Sequence, residues 1–132
     1  MNTDKLQLMR SNYSNALKRL EEVLEADPSN TFVYDAAIQR FEFTYELAWK
    51  LLKEYLLYTG IAVVNSPRAT FKEAFAVDLI QNGEAWIAML DDRNLTAHTY
   101  DEKKALEIYQ RIKSAYYPQF VDLAQKINKA VE

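Results

Sequence analysis

From Ser29 to Thr59 the sequence contains neither glycine nor proline, and apolar residues recur through "FVYDAAIQRFEFTYELAWKLLKEYLLY" at spacings of three and four. That pattern commits the segment to one long helix, with Ser29, Asn30 or Thr31 as its N-cap and Gly60 as its stop. Its apolar positions include Ala37, Ile38, Phe41, Phe43, Tyr45, Leu47, Ala48, Trp49, Leu51, Leu52, Tyr55, Leu56 and Leu57. They cover more than the single stripe a peripheral helix buries. Either this helix is central to a bundle, or part of it faces another subunit; a symmetric dimer is the commonest closed form, and a homodimer is expected.

The remaining sequence is helical by the same reading. Leu6, Met9, Tyr13, Ala16, Leu17, Leu20 and Val23 lie on one face of a first helix, which Pro28 ends. "IAVV" after Gly60 is a candidate short strand, but nothing is available to pair with it, so an extended loop is expected. Ser66 and Pro67 open a third helix as N-cap and first helical residue, with Asn82 and Gly83 expected to close it. A fourth runs from Glu84 to about Ala97, with Trp86, Leu90 and Ala97 as its buried stripe and Arg93 on or beside it. "TYDE" (Thr99 to Glu102) fits a capping box and predicts that Thr99 caps a fifth helix reaching the C-terminus, kinked near Tyr117 by Pro118. The expected architecture is all-α, an antiparallel bundle of four to five helices forming a single domain over residues 1–132.

Composition narrows the function classes. The chain has no cysteine and one histidine, which argues against disulfides, thiolate zinc sites and transition-metal centres; no cofactor is expected. No apolar run approaches the roughly 18 residues that cross a bilayer, and the N-terminal segment has no signal-peptide pattern, so a cytoplasmic protein without membrane contact is expected. A net charge of −3 speaks against strong non-specific affinity for long nucleic acid, while leaving room for a local phosphate site.

The lone histidine lies in "DDRNLTAHTYDE" (Asp91 to Glu102), five residues after Arg93 and two before Tyr100. On an unbroken helix Arg93 and His98 would point about 140° apart, whereas Asn94 and His98 share a ridge. A helix junction at Thr99 would free His98 from that geometry, and the start of the next helix would offer amide donors to a phosphate. An arginine that binds phosphate bidentately and a histidine that moves a proton near neutral pH suffice for attack on a phosphodiester, with the RNA 2′-hydroxyl as nucleophile. The plainer reading is a capping or surface histidine. Asp91, Asp92, Asp101 and Glu102 would repel a phosphate unless paired or turned outward, and solvated helix ends are expected for them.

Three blocks, "IQRFEFTYELAWKLLKEYL", "NSPRATFKEAF" and "MLDDRNLTAHTYDE", make the chain resemble the nucleotidyltransferase substrate-binding family, a HepT-like branch of the HEPN superfamily. Arg93, Asn94 and His98 fit the superfamily's Arg-polar-spacer-His signature, and Tyr100 fits its extended form. The resemblance implies an all-α homodimer with the motifs of both subunits in one cleft, a minimal nucleotidyltransferase as partner, and the toxin role of a toxin-antitoxin pair. It further implies a metal-independent endoribonuclease in which His98 is general acid or base, Arg93 binds the scissile phosphate and Asn94 orients His98. Tyr100 would be the residue the partner silences by adenylylation. The alternative is a non-catalytic subunit that binds a nucleotide or other substrate for the nucleotidyltransferase, and a helical assembly protein without a small-molecule site is the third reading. The chain carries no Gly-Ser step before paired aspartates, so no nucleotidyltransferase motif of its own.

Overall fold

A computed structural model of the chain describes residues 3–62, 65–96 and 101–130. The described residues are helical, with no strand among them: α1 (Thr3–Leu24), α2 (Phe32–Tyr58), α3 (Pro67–Ala76), α4 (Gly83–Thr96), α5 (Glu102–Arg111), a π turn (Ile112–Tyr116) and α6 (Tyr117–Ala130). Ile61 and Ala62 take no regular conformation, as a loop requires, and no helix of the described residues is long and apolar enough to cross a membrane.

The helix α2 is the centre of an antiparallel bundle. It packs on α1, α3, α4, α5 and the π turn, and it buries Val33, Ala37, Phe41, Thr44, Tyr45, Ala48, Leu51, Leu52 and Leu56. Most of its wide apolar surface is therefore absorbed inside the bundle, which is the central-helix alternative of the sequence reading, while part of it stays exposed. Phe43 and Phe32 remain 64% and 77% exposed. Surface ion pairs between Lys5 and Glu54 and between Glu22 and Arg40 accompany the antiparallel register of α1 on α2. Thr44 is buried without penalty because its hydroxyl donates to the Arg40 carbonyl at 2.8 Å. On the far side, α6 closes on α1 through Tyr13, whose hydroxyl donates to the Phe120 carbonyl at 2.6 Å.

The core is aromatic. Phe41 stacks on Tyr116 with ring centroids 5.5 Å apart and lies 6.0 Å from Phe120, which meets Trp86 edge-on at 5.7 Å. Trp86 in turn meets Phe71 at 5.2 Å, so α2, α3, α4, the π turn and α6 share one cluster. Offset and edge-on pairs of this kind add about 0.5–1.5 kcal/mol each beyond their area.

Helix ends follow local chemistry, with three differences from the sequence reading. Gly60 stops α2 with φ +94°, a conformation in which a Cβ is strained. Ser66 caps α3 by accepting from the Ala69 amide at 3.2 Å, with Pro67 first in the helix. However, α3 stops at Ala76, where Asp78 adopts φ 65°, and Asn82 begins α4 by accepting from the Ala85 amide at 3.0 Å. An asparagine side chain serves an N-cap as well as a stop. The fifth helix is capped by Asp101, which accepts from the Lys103 amide at 2.9 Å, rather than by Thr99, which lies outside the described residues. Asp101 is a stronger acceptor and sits one residue ahead of the helix.

The third difference concerns Pro118. Where a kink near Tyr117 is expected, the helix widens over Ile112–Tyr116, and the Tyr117 amide reaches the Ile112 carbonyl. Proline has no amide for the Ser114 carbonyl, and its ring would crowd that carbonyl in a regular helix. One wide turn relieves both problems.

Candidate functional site

The motif arginine stands on α4, and its neighbours are decided by which side of that helix is buried. Trp86, Met89 and Asp92 form the buried stripe, spaced by three, while Leu90 is only partly covered. The stripe is thus one position away from the expected Leu90 line, and Ala97 lies outside the described residues. Arg93, one residue past the stripe, emerges about 100° further round, at the edge of the bundle facing α2.

There the Arg93 Nε lies 4.0 Å from Glu42 Oε2 and 3.9 Å from Glu46 Oε1. Glu42 and Glu46 are four apart on α2 and share a ridge. These are ion pairs at the limit of contact. The Nε is buried and makes no hydrogen bond among the described residues. This donor is held by charge rather than by a directional bond. Tyr45, beneath this cluster, is also buried with an unbonded hydroxyl. Burial foremost, then the Glu46 charge, push its ionisation up, so it stays a neutral hydroxyl.

Beside Arg93 opens a cavity of about 380 Å³ between α2, the end of α4 and the start of α5. Ile38, Leu95 and Ile108 supply its apolar wall, and Asp35, Glu42 and Asp101 its carboxylates. Glu42 belongs both to the cavity and to the Arg93 ion pair. Apolar walls with a few convergent polar groups are the usual make-up of a small-ligand site. Thr96 and Asp101 both line this cavity.

Arg93 and Asn94 stand on the last turns of α4, Arg93 tied to the cavity through Glu42 and Asn94 exposed. His98 and Tyr100 lie outside the described residues. The acidic residues of the stretch divide three ways. Asp91 pairs with Arg68 at 4.0 Å, and Asp101 is the N-cap. Asp92 corrects the expectation of a solvated helix end: it is 7% exposed. Its carboxylate accepts from Arg111 Nε at 2.8 Å, from Arg111 Nη2 at 2.8 Å and from the Tyr116 hydroxyl at 2.5 Å. The hydrogen bond to Asp92 keeps Arg111 charged to still higher pH. Burial, then the bond to Asp92, raise the Tyr116 ionisation well above the ordinary tyrosine range.

The sequence reading did not single out Glu42, Glu46, Arg111 or Tyr116, and it took Asp92 for a solvated helix end. Two signals were present. Asp92 follows Met89 by three and Trp86 by six, and an acidic pair four apart interrupts the apolar surface of α2. Arg111 and Tyr116, five apart, gave none, because a regular helix separates such positions.

The family described as nucleotidyltransferase substrate binding protein like matches residues 8–129. A probable ribonuclease HepT of Haemophilus influenzae is 41% identical over 80 residues, which is 58% of this chain; the match spans 55% of that relative's length. Among solved structures, the protein ttk003001694 from Thermus thermophilus superposes with a TM-score of 0.74 at 32% identity, covering 91% of this chain and 98% of that one. A tri-AMPylated Shewanella oneidensis HEPN toxin, in complex with an MNT antitoxin, superposes with a TM-score of 0.78 at 19% identity over 98% and 99% of the two chains. At that identity the likeness is one of fold.

Proposed function

The chain belongs to the nucleotidyltransferase substrate binding protein like family and has the HepT-like HEPN fold, and from that premise we propose that it is the ribonuclease toxin of a pair whose other member is a minimal nucleotidyltransferase. The observation that carries the reading is Arg93: its Nε is buried, ion-paired to Glu46 and Glu42 yet unbonded among the described residues, and Glu42 also lines the cavity. In this reading Arg93 binds the scissile phosphate and stabilises the charge that builds on it. His98 takes the proton of the RNA 2′-hydroxyl or delivers one to the leaving 5′-oxygen, and Asn94 orients it. The nucleophile belongs to the substrate, so no metal-bound water is needed. Two copies assemble as a homodimer with their motifs in one cleft, and the outward Phe43 and Phe32 of α2 are available to such an interface. Adenylylation of Tyr100 by the partner would add a bulky anion two residues from His98 and exclude RNA by charge and volume. The protein acts in the cytoplasm, beside its partner.

The test is cleavage of a single-stranded RNA in the presence of a chelator. Arg93→Ala and His98→Ala are each expected to lower the rate by about 10²–10⁴-fold, with the oligomer intact by light scattering. Cleavage unchanged by both substitutions rejects the ribonuclease. Saturable nucleotide binding without cleavage would instead favour the substrate-binding subunit. Incubation with the partner and ATP should add one or more adenylates to the peptide containing Tyr100, read by mass spectrometry, and abolish cleavage.

A further inference from the structure

Asp92 is the last buried residue of α4 among those described; Arg93 and Thr96 are half-buried, and Asn94 and Leu95 are exposed. The turn that carries the motif arginine is therefore not seated by a buried apolar side chain. It is seated by one carboxylate, through the fork of Arg111 and the hydroxyl of Tyr116. On a regular α-helix two residues five apart diverge by about 140° and could not both reach Asp92. The π turn narrows that divergence, since its wider i to i−5 turn advances each residue by a smaller angle. Tyr116 is in turn stacked on Phe41 of α2, the helix that carries Glu42 and Glu46. One chain of contacts thus runs from the α2 core through Tyr116 and Asp92 to the residue next to Arg93.

We propose that Asp92, Arg111 and Tyr116 form a positioning device that fixes the direction in which Arg93 presents its guanidinium to a phosphate. None of the three touches substrate; Asp92 acts through Arg93, and the device rests on the phosphate-binding role of Arg93 proposed above. Its value is angular. A small roll or lift of the last turns of α4 displaces the end of a long side chain by about an ångström, and a misplacement of that size costs roughly a hundredfold in rate. A carboxylate with donors in a bidentate fork resists such a roll better than a methyl group in a greasy pocket, because hydrogen bonds are directional. The π turn is therefore a specific requirement of the site rather than only an accommodation of Pro118.

The experiment compares Asp92→Asn and Tyr116→Phe, each alone and combined with Arg93→Ala, on an oligoribonucleotide. Asp92→Asn is expected to lower kcat by about 10–100-fold with KM little changed. Tyr116→Phe, which leaves the Arg111 fork in place and guards against a misfolded Asp92 variant, is expected to lower kcat by about fivefold. In the Arg93→Ala background either substitution should cost less than about twofold more, since residues acting through one another are not additive. Full additivity overturns the proposal, as does an unchanged kcat in both single variants. A second readout separates this inference from the ribonuclease reading. The Arg93 Nε–H resonance, assigned by its disappearance in Arg93→Lys, is expected to move in Tyr116→Phe. A wild-type protein that cleaves no RNA but shows that movement rejects the ribonuclease and supports the device; an unmoved resonance rejects the device whatever the RNA assay gives.

Discussion

The α1–α2–α6 side of the molecule and the last turns of α4 are fastened by different physics. In the first region Leu20, Phe41, Leu52, Phe120 and Leu123 are fully buried, and polar ties such as that of Tyr13 to Phe120 are additions to a core that already excludes water. In the second, beyond Met89, the only buried side chain among the described residues is a carboxylate. Apolar burial is non-directional and tolerates small slides, whereas a forked hydrogen bond fixes angle and register. A bundle needs the first kind of attachment to be stable. A guanidinium that must meet a phosphate at a set angle needs the second.

Several measurements would break or sharpen that contrast. Phe41→Ala removes a ring that contacts Tyr45, Tyr116 and Phe120. It should lower global stability by about 3–5 kcal/mol in chemical denaturation, with all probes of folding moving together. A loss confined to α4 would contradict the shared core.

Alkaline pH should weaken both regions at once. Burial raises the Tyr13 and Tyr116 ionisations in the folded state, so their contribution is complete below the unfolded-state value near 10 and declines above it. Each such tyrosine adds a slope of about 1.4 kcal/mol per pH unit, visible as a falling denaturation midpoint between roughly pH 10 and 12. A flat midpoint across that range would mean that the two hydroxyls are not sequestered. The smallest effect belongs to Tyr116→Phe, which should cost only about 1 kcal/mol of stability. Paired with a loss of kcat that vanishes in the Arg93→Ala background, that value distinguishes a residue that aims the site from one that only holds the fold.

Much of the fold was legible because helices announce themselves locally. The glycine-free run to Thr59, the Ser66–Pro67 start and Gly60 each act through their own backbone. The junctions were less legible: Asn82 and Asp101 are caps by the same chemistry that also suits a stop or a neighbouring cap, and only the paths of the flanking helices choose between those uses. Arg93, Asn94, His98 and Tyr100 were named from their spacing and resemblance. Of these, the structure gives surroundings to the first two.

What the sequence determined alone is a helical chain with an arginine and a histidine separated by a short polar spacer, because periodicity, caps and spacing are properties of neighbouring residues. The tertiary structure decided that Glu42 and Glu46 bracket Arg93 and that Asp92 is buried rather than solvated. It also decided that Arg111 and Tyr116 meet on one carboxylate across a widened turn. The partners are about fifty residues away in one case and about twenty in the other, distances at which only packing brings side chains together. The widening that aligns Arg111 with Tyr116 depends on a proline two residues further on and on the helices it packs against. Such a contact is a consequence of the assembled bundle, which no local pattern specifies.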